Sequence, residues 1–518
     1  MYTKGIIRKG EYFDSVSLML VAREINKLPG VIDAGVVMGT KENRSILNVS
    51  GILLPEFIDA SDTDLLISIK ASSQQSVDNA IAKVEQLLSN IKNRKNNDTR
   101  VFEPKSLDTA IEKMPDANIC LISVAGKYAA CEAFKALDKG LHVMLFSDNV
   151  SIEDELKLKT YAADKGLLVM GPDCGTAIIN GIPLAFANAV NKGDIGIVAA
   201  SGTGLQEVSS LISEAGCGIS QAIGTGGRDI KKEIGGIMFI QALNALAADD
   251  ETKIILLVSK PPHPEVLEKI TCETKKINKP VVAVFIGANP DIAANAGIIP
   301  ANTLEEAAMI ATYLSKNNNY NDVKKIISDR DKKLMKQASE LTNQINGKLL
   351  RGLFSGGTLC DETQLVLKDI IGFVYSNIPL NPNFKLQNVW EYKDNTVIDF
   401  GDDEFTVGRP HPMIDFSLRM KQLEQQAENN DVTVILFDLV IGYGANKNPL
   451  SDLLPVVDRI RIKRNDLIII CSVTGTSKDP QNKKEIVNLL TNHGVIVAES
   501  NAAASKLAGY IIKLKGEI

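Results

Sequence analysis

Apolar runs that stop at glycine turns and pass straight into helical spacing recur along this chain. That rhythm restricts it to α/β architecture built on parallel sheets. The clearest instance spans residues 195–205. Ile195-Gly-Ile-Val-Ala-Ala reads as a buried strand and Ser201-Gly202-Thr203-Gly204 as a turn, while Leu205, Val208, Leu211 and Ile212 recur on one apolar helix face. Ser201 suits the N-cap, because its hydroxyl can accept an amide proton that the first helical turn leaves without a partner. Gly202 and Gly204 keep the amides uncovered, and the helix dipole adds partial positive charge there. Two readings of the turn stand side by side: an anion seat, and an ordinary strand–turn–helix connection. Open α/β sheets place ligands at turns of this kind.

The same alternation divides the 518 residues into domains. Residues 1–95 read as a small α+β domain, with a ferredoxin-like arrangement as one candidate. Its strands are expected at 4–7, 31–38 and 65–70, and its helices at 15–27 and 77–91. The polar, basic stretch 91–100 reads as a linker. Residues 96–190 carry βαβ units with strands near 119–124, 141–146 and 167–170. Residues 191–315 repeat the pattern as a flavodoxin-type unit, with strands at 195–199, 254–258 and 281–286. A charged helical bridge follows over 316–346. Residues 347–518 form another flavodoxin-type unit, with strands at 397–400, 432–438, 467–471 and 495–498. The expected fold class is therefore α/β, several doubly wound parallel sheets with a small amino-terminal α+β domain.

Composition excludes several alternatives. Hydrophobic residues reach 45% while aromatics stay at 5%, which suits aliphatic α/β layers. The net charge of -6 provides no basic field for nucleic acid. No signal-type apolar core follows Met1, and no uncharged run is long enough for a bilayer. A cytoplasmic protein without membrane or nucleic-acid partners is expected. Seven cysteines lie scattered with no C-x-x-C pair, and the four histidines show no metal spacing, so neither a disulfide framework nor a metal site is expected.

Four more glycine turns follow apolar strands: Gly171-Pro172-Asp173-Cys174-Gly175, Gly224-Thr225-Gly226-Gly227-Arg228-Asp229, Gly356-Gly357 and Gly442-Tyr443-Gly444-Ala445. Each on its own is explained by backbone freedom. Five together at strand ends make a ligand cradle worth testing. None is a Walker loop, and none has the acidic ribose partner of a dinucleotide fingerprint, which disfavours bound NAD. Ser201, Gly202 and Thr203 are the candidate anion contacts, with Arg228 as a candidate bidentate clamp for phosphate or carboxylate. The alternative for Arg228 is a surface salt bridge. Gly204, Gly224, Gly226, Gly227, Gly356, Gly357, Gly442, Gly444, Asp173 and Cys174 complete the candidate cradle. Cys174 has no histidine nearby in sequence to activate it, so a semi-buried turn residue is expected rather than a nucleophile.

These turns, in this order, resemble the succinyl-CoA synthetase superfamily. Residues 119–175 resemble the CoA-binding region of the α subunit, with GPDCG in place of GPNCPG. Residues 193–230 resemble its ligase domain. Residues 347–518 resemble the ligase domain of the β subunit, through VIDFGDDE and FDLVIGYGA. In that superfamily two helix starts face each other around a phosphohistidine. The resemblance implies the pair 201–204 and 442–445 here, each contributing about 1–2 kcal/mol to a sheltered anion.

This chain also departs from the pattern. The loop 287–299, where the family carries its histidine, has none, and Ser259-Lys260-Pro261-Pro262-His263 stands where a supporting acid is expected. No ATP-grasp segment is present. That combination resembles the FdrA family. It implies a subunit of an oxamate carbamoyltransferase in allantoin breakdown, in which oxalurate and phosphate give oxamate and carbamoyl phosphate. Phosphate is then a substrate, the substrate is a small anion, and further subunits are partners; a homo-oligomer stays open. The wider superfamily implies CoA. Two other functions remain: an NDP-forming acyl-CoA ligase of succinate–CoA ligase type, and a non-catalytic subunit that binds acyl-CoA or an anion.

Overall fold

A computed structural model describes residues 1–11, 13, 15–97, 104–342, 345–406 and 410–516. Two compact units emerge: residues 1–105 with 402–415, and residues 106–401 with 416–518. The stretch 402–415, read from sequence as part of the last domain, thus clusters with the amino-terminal one.

The first unit is built on an antiparallel three-stranded sheet in the order Tyr2–Arg8, Leu65–Ala71, Val31–Met38. The central strand is buried along nearly all its length and is the most buried of the three. Helices Ser15–Asn26 and Gln74–Asn97 cover one face, with Leu18, Val21, Ile25, Val84 and Leu88 in the core. The expected linker at 91–100 is helical as far as Asn97, and its last three residues lie outside those described. A hydrophobic period at Ile81, Val84 and Leu88 carries this helix past the point where composition turns polar.

The second unit holds three sheets. Strands Ile119–Ile122, His142–Leu145 and Val169–Met170 pair in parallel. A seven-stranded sheet runs Ile299–Pro300, Val281–Phe285, Ile254–Ser259, Lys192–Ala199, Ile219–Gly224, Thr176–Ile179, Ile182–Ala185. Its last two strands form an antiparallel hairpin, turned at Asn180-Gly181 with positive φ at both residues. That hairpin comes from the segment read as the preceding domain, so the boundary at 190 cuts through this sheet. Met144, Met170, Cys174 and Val198 share one core across that boundary.

The third sheet is wholly parallel, in the order Thr396–Asp399, Leu349–Phe354, Val432–Val440, Ile468–Thr474, Ile496–Ala498. Val432–Val440 is buried at every residue, as the near-continuous apolar run of a parallel strand demands. The charged stretch 316–346 contains helix Asp322–Thr342, of which only Val323, Ala338 and Thr342 are buried. Its Arg330 holds Glu305 and its Asp331 holds Lys506, so it bridges two neighbouring helices through ion pairs. Among the described residues no helix is long and apolar enough to cross a membrane.

Candidate functional site at two facing helix starts

Strand Lys192–Ala199 ends at the Ser201 turn, and helix Gly202–Glu214 begins there. Ser201 caps it: its Oγ accepts the Gly204 amide at 3.0 Å, and its carbonyl accepts Leu205 N at 3.1 Å. The cap removes Gly204 from the candidate cradle, since its amide is committed and the residue is buried. The Gly202 and Thr203 amides, ahead of the intrahelical ladder, are the ones left for a ligand. Gly202 is exposed and Thr203 half-buried.

The helix start facing this one is Gly357–Ile371, after strand Leu349–Phe354. Thr358 Oγ1 and Ser201 Oγ hydrogen bond at 2.6 Å. The contact is reciprocal. A Cβ at Gly356 would lie 2.9–3.0 Å from the side chain of Thr203, so only glycine fits there. The N-cap of each helix thus touches the second residue of the other.

The pairing expected from the resemblance was different. Gly442 donates its amide to Gln481 Oε1 at 3.1 Å, and Tyr443 donates to Ala187 O at 2.9 Å. A Cβ at Gly444 would meet the Phe186 ring at 2.8 Å. The Gly442–Ala445 turn therefore packs on the 185–188 segment with these amides spent. Helix Pro449–Lys463 does begin at Pro449, as its first-turn proline suggests.

The second helix start also carries its own anion. The Ser355 and Gly356 amides donate to the Asp438 carboxylate at 2.7 and 2.8 Å, and Ser355 Oγ donates to the same group. Arg419, fully buried, donates to Asp438 Oδ1 at 2.5 Å and balances the charge. Asp399 lies against the first turn: a Cβ on Gly357 would come within 2.7 Å of its Oδ2. Lys260, just past strand Ile254–Ser259, pairs with Asp361 at 2.6 Å and is half-exposed. Burial pulls the Lys260 pKa down, but Asp361 and then Asp399 outweigh it, so the amine stays above its ordinary value and charged. Ala200 N bonds to Val258 O, which places Lys260 at the same sheet edge as Ser201. The junction therefore offers two open amides and a lysine in one half. Its other half is lined by carboxylates.

Arg228 is not at this junction's disposal. Its Nε pairs with Glu155 at 2.8 Å and its Nη2 donates to Val150 O at 2.9 Å. Glu155 and Asp229 both pair with Lys159 at 2.8 Å, all three side chains being inaccessible. Lys159 also donates to Thr225 O, and Asp229 accepts from Phe239 N. Arg228 closes a buried ion network that fixes the glycine turn; it is a salt bridge, but to an inaccessible carboxylate rather than at the surface.

The other turns in the candidate cradle pack on each other. Gly226 has φ +82, and a Cβ there would come within 2.5 Å of Pro172 O. A Cβ at Gly224 would strike Thr176 O and the Cys174 thiol. Cys174 is therefore sealed between backbones, and burial pushes its thiol up to about 12, so it contacts no ligand. Asp173 and Gly227 remain exposed at the rim. Each histidine has a local partner: His263 Nδ1 accepts Glu265 N, His142 Nδ1 accepts Leu168 N, His411 Nδ1 accepts Met413 N, and His493 pairs with Asp458. Asp361 and Asp438 are site residues that the turn pattern does not mark, and Lys260 is marked only by its place in the departing 259–263 segment. Asp438 sits within an apolar run, and a charged residue inside a buried strand is the signal that could have found it.

Comparison with known proteins adds the family. The AllF, heavy metal-associated domain family matches residues 1–104, the CoA-ligase family residues 353–511 and the CoA binding domain family residues 190–287. The last falls one domain later than the CoA-binding-like segment read from sequence. The "Uncharacterized protein YahF" of Escherichia coli K12 is 41% identical over 526 residues, covering 100% of both chains. The chain belongs to the YahF family. This YahF-family protein also resembles the "Succinate--CoA ligase [ADP-forming] subunit alpha 1" of Archaeoglobus fulgidus, at 28% identity over 33% of this chain and 59% of that subunit. It resembles the "Malate--CoA ligase subunit alpha" of Methylorubrum extorquens at 27% over the same shares. A solved dinucleotide-forming acetyl-coenzyme A synthetase 1 from Ca. Korarchaeum cryptofilum overlaps 77% of this chain and 83% of that one, at 14% identity and a TM-score of 0.34. The YahF family protein thus carries succinyl-CoA synthetase-like, acyl-CoA ligase-type domains behind an AllF-type amino-terminal domain.

Residues 1–104, which match the heavy metal-associated family, contain neither cysteine nor histidine, so neither a thiolate nor an imidazole ligand is available there. Among the described residues no group of three or more His, Cys, Asp or Glu could hold a metal ion.

Proposed function

We propose that the Ser201–Thr358 junction handles an acyl phosphate, and that the chain, with partner subunits, acts as an oxamate carbamoyltransferase. A phosphate oxygen attacks the carbamoyl carbon of oxalurate, and a carbon–oxygen bond forms. The bond from that carbon to the oxamate nitrogen breaks, and the nitrogen takes up a proton as oxamate leaves. The Gly202 and Thr203 amides and Lys260 hold the phosphate and the developing negative charge, an electrostatic role that needs no covalent carrier. One observation carries this reading. Ser201 and Thr358 meet at the paired helix starts with Lys260 at the same strand ends, and the loop 287–299, where the superfamily carries its histidine, has none. Carbamoyl phosphate is a mixed anhydride like succinyl phosphate, so an acyl-phosphate seat can be kept without a phosphohistidine.

The acyl-CoA ligase reading has its own support, in the CoA-ligase and CoA binding domain matches. The two separate in one assay. The purified chain, alone and with the products of neighbouring genes, is given oxalurate and phosphate, or succinate, CoA and a nucleoside triphosphate. Carbamoyl phosphate release supports the first reading, and thioester formation supports the second. If neither product forms and ligands only raise the melting temperature, both fail and a binding subunit remains.

A further inference from the structure

One turn below the paired helix starts lies a seam of carboxylates that the reaction does not use. Glu207 belongs to helix Gly202–Glu214, Glu362 to helix Gly357–Ile371 and Glu305 to helix Leu304–Ser315, and all three are buried. Asn501, at the start of helix Asn501–Gly516, joins the first two. Its amide donates to Glu207 Oε1 at 3.1 Å, and its Nδ2 donates to Glu362 Oε2 at 2.8 Å and to Leu359 O at 3.0 Å. Glu207 also accepts from Thr474 Oγ1, and Glu362 from Leu304 N at 2.6 Å.

The charges facing the seam can be named from each element around it. Arg330, on helix Asp322–Thr342, is spent on Glu305 and Asp331. Lys506 is spent on Asp331. Lys483, at the start of helix Lys483–Asn492, acts on Glu207 only through its field. Ser500 adds a hydrogen bond to Glu305. Three carboxylates therefore share one directly bound cation, and the pair on Asn501 has none. A buried pair of that kind relieves itself by keeping a proton.

We propose that Glu207, Glu362 and Asn501 form a protonated clamp that sets the register of the two helix starts, assembling the anion seat while the proton is held and loosening it when the proton leaves. These are positioning residues, since they touch the helices rather than the reactants. The clamp rests on reading the Ser201–Thr358 junction as the anion seat. Burial, ahead of every other cause, pushes the Glu362 carboxyl up to about 8 and raises Glu207 as well. The transition thus centres on Glu362, near pH 8.

The test uses the full chain carrying Ser201→Cys and Thr358→Cys, whose parent side chains stand 2.6 Å apart. Disulfide yield under a fixed oxidant is compared with and without Glu362→Gln, which removes the titrating group. Thiol reactivity changes with pH equally in both backgrounds, so their ratio is the readout. The expected result is at least a fivefold fall of the ratio between pH 7 and 9.5, and a flat ratio overturns the clamp. Glu207→Gln, which removes the neighbouring charge, should shift the midpoint to lower pH; an unmoved midpoint also overturns it. Inorganic phosphate binding, measured by calorimetry on the chain without the cysteines, separates the two layers. A changing disulfide ratio without phosphate binding sustains the clamp and removes the anion seat. Phosphate binding with a flat ratio does the reverse.

Discussion

Asp438 should be replaceable by a small carboxylate from solution. It receives the Ser355 and Gly356 amides, the Ser355 hydroxyl and the Arg419 guanidinium, and it is inaccessible to solvent. Asp438→Ala leaves a buried guanidinium and two amides without their acceptor. Breaking a buried pair on one side costs about 3–5 kcal/mol. Arg419 keeps the Asp438 backbone carbonyl at 2.8 Å, so the lower end, about 3 kcal/mol, is expected. For a domain of this size that is a fall of roughly 6–12 °C in its melting temperature. Scanning calorimetry with 0–100 mM formate (about that range spans weak carboxylate binding) reads the rescue, with chloride as the salt control. Formate should restore a third or more of the loss in Asp438→Ala and leave the native chain unchanged. Asp438→Asn should lose a similar amount without rescue, because its amide fills the space and turns a donor toward a donor. A loss below about 1 kcal/mol, or equal formate effects on both proteins, would refute the claim that this helix start is satisfied internally.

Other expectations follow from the same contacts. Gly202→Ala has room for its Cβ, which lies 3.4 Å from Thr176 Oγ1, so stability should change by less than about 1 kcal/mol while phosphate binding or turnover falls at least tenfold. Lys159→Met leaves Asp229 without a cation and Glu155 with Arg228 alone, and should cost about 3–5 kcal/mol, partly recovered by adding Glu155→Gln, as melting curves would show. Arg228→Gln should leave turnover within about twofold, because the side chain serves Glu155. Iodoacetamide at pH 8 should modify the exposed Cys131 and Cys272 first, by peptide mass, and spare Cys174 until unfolding.

Local signals were readable where they were dense. The strand ending at Ala199, the Ser201 cap and the helix after it all follow from an apolar run, a hydroxyl and a 3.6-residue period. The hairpin after Thr176 was missed although Asn180-Gly181 marks it, because four-residue strands carry too little alternation to stand out between two βα units. The site was legible as a set of turns but not as a set of neighbours. Ser201 and Thr358 are 157 residues apart, and nothing in either turn states that they meet. Both the 356 and the 442 turns had suitable glycines. What distinguishes them is where their amides go, and that depends on Asp438, Gln481 and Ala187, residues remote in sequence. Which of its two readings holds for Arg228 is hidden for the same reason: its partner Glu155 sits on an earlier helix.

The stretch 402–415 gives the chain an unusual order of assembly. It leaves the five-stranded domain after Gly401 and joins residues 1–105, where Arg23 donates to Ile414 O. On a ribosome emitting about 5–20 residues per second, the first unit would wait roughly 15–60 s for its final stretch to emerge. During that interval its earlier part must persist unfinished, available to chaperones. Anyone exchanging this unit between relatives must transplant two separated stretches together.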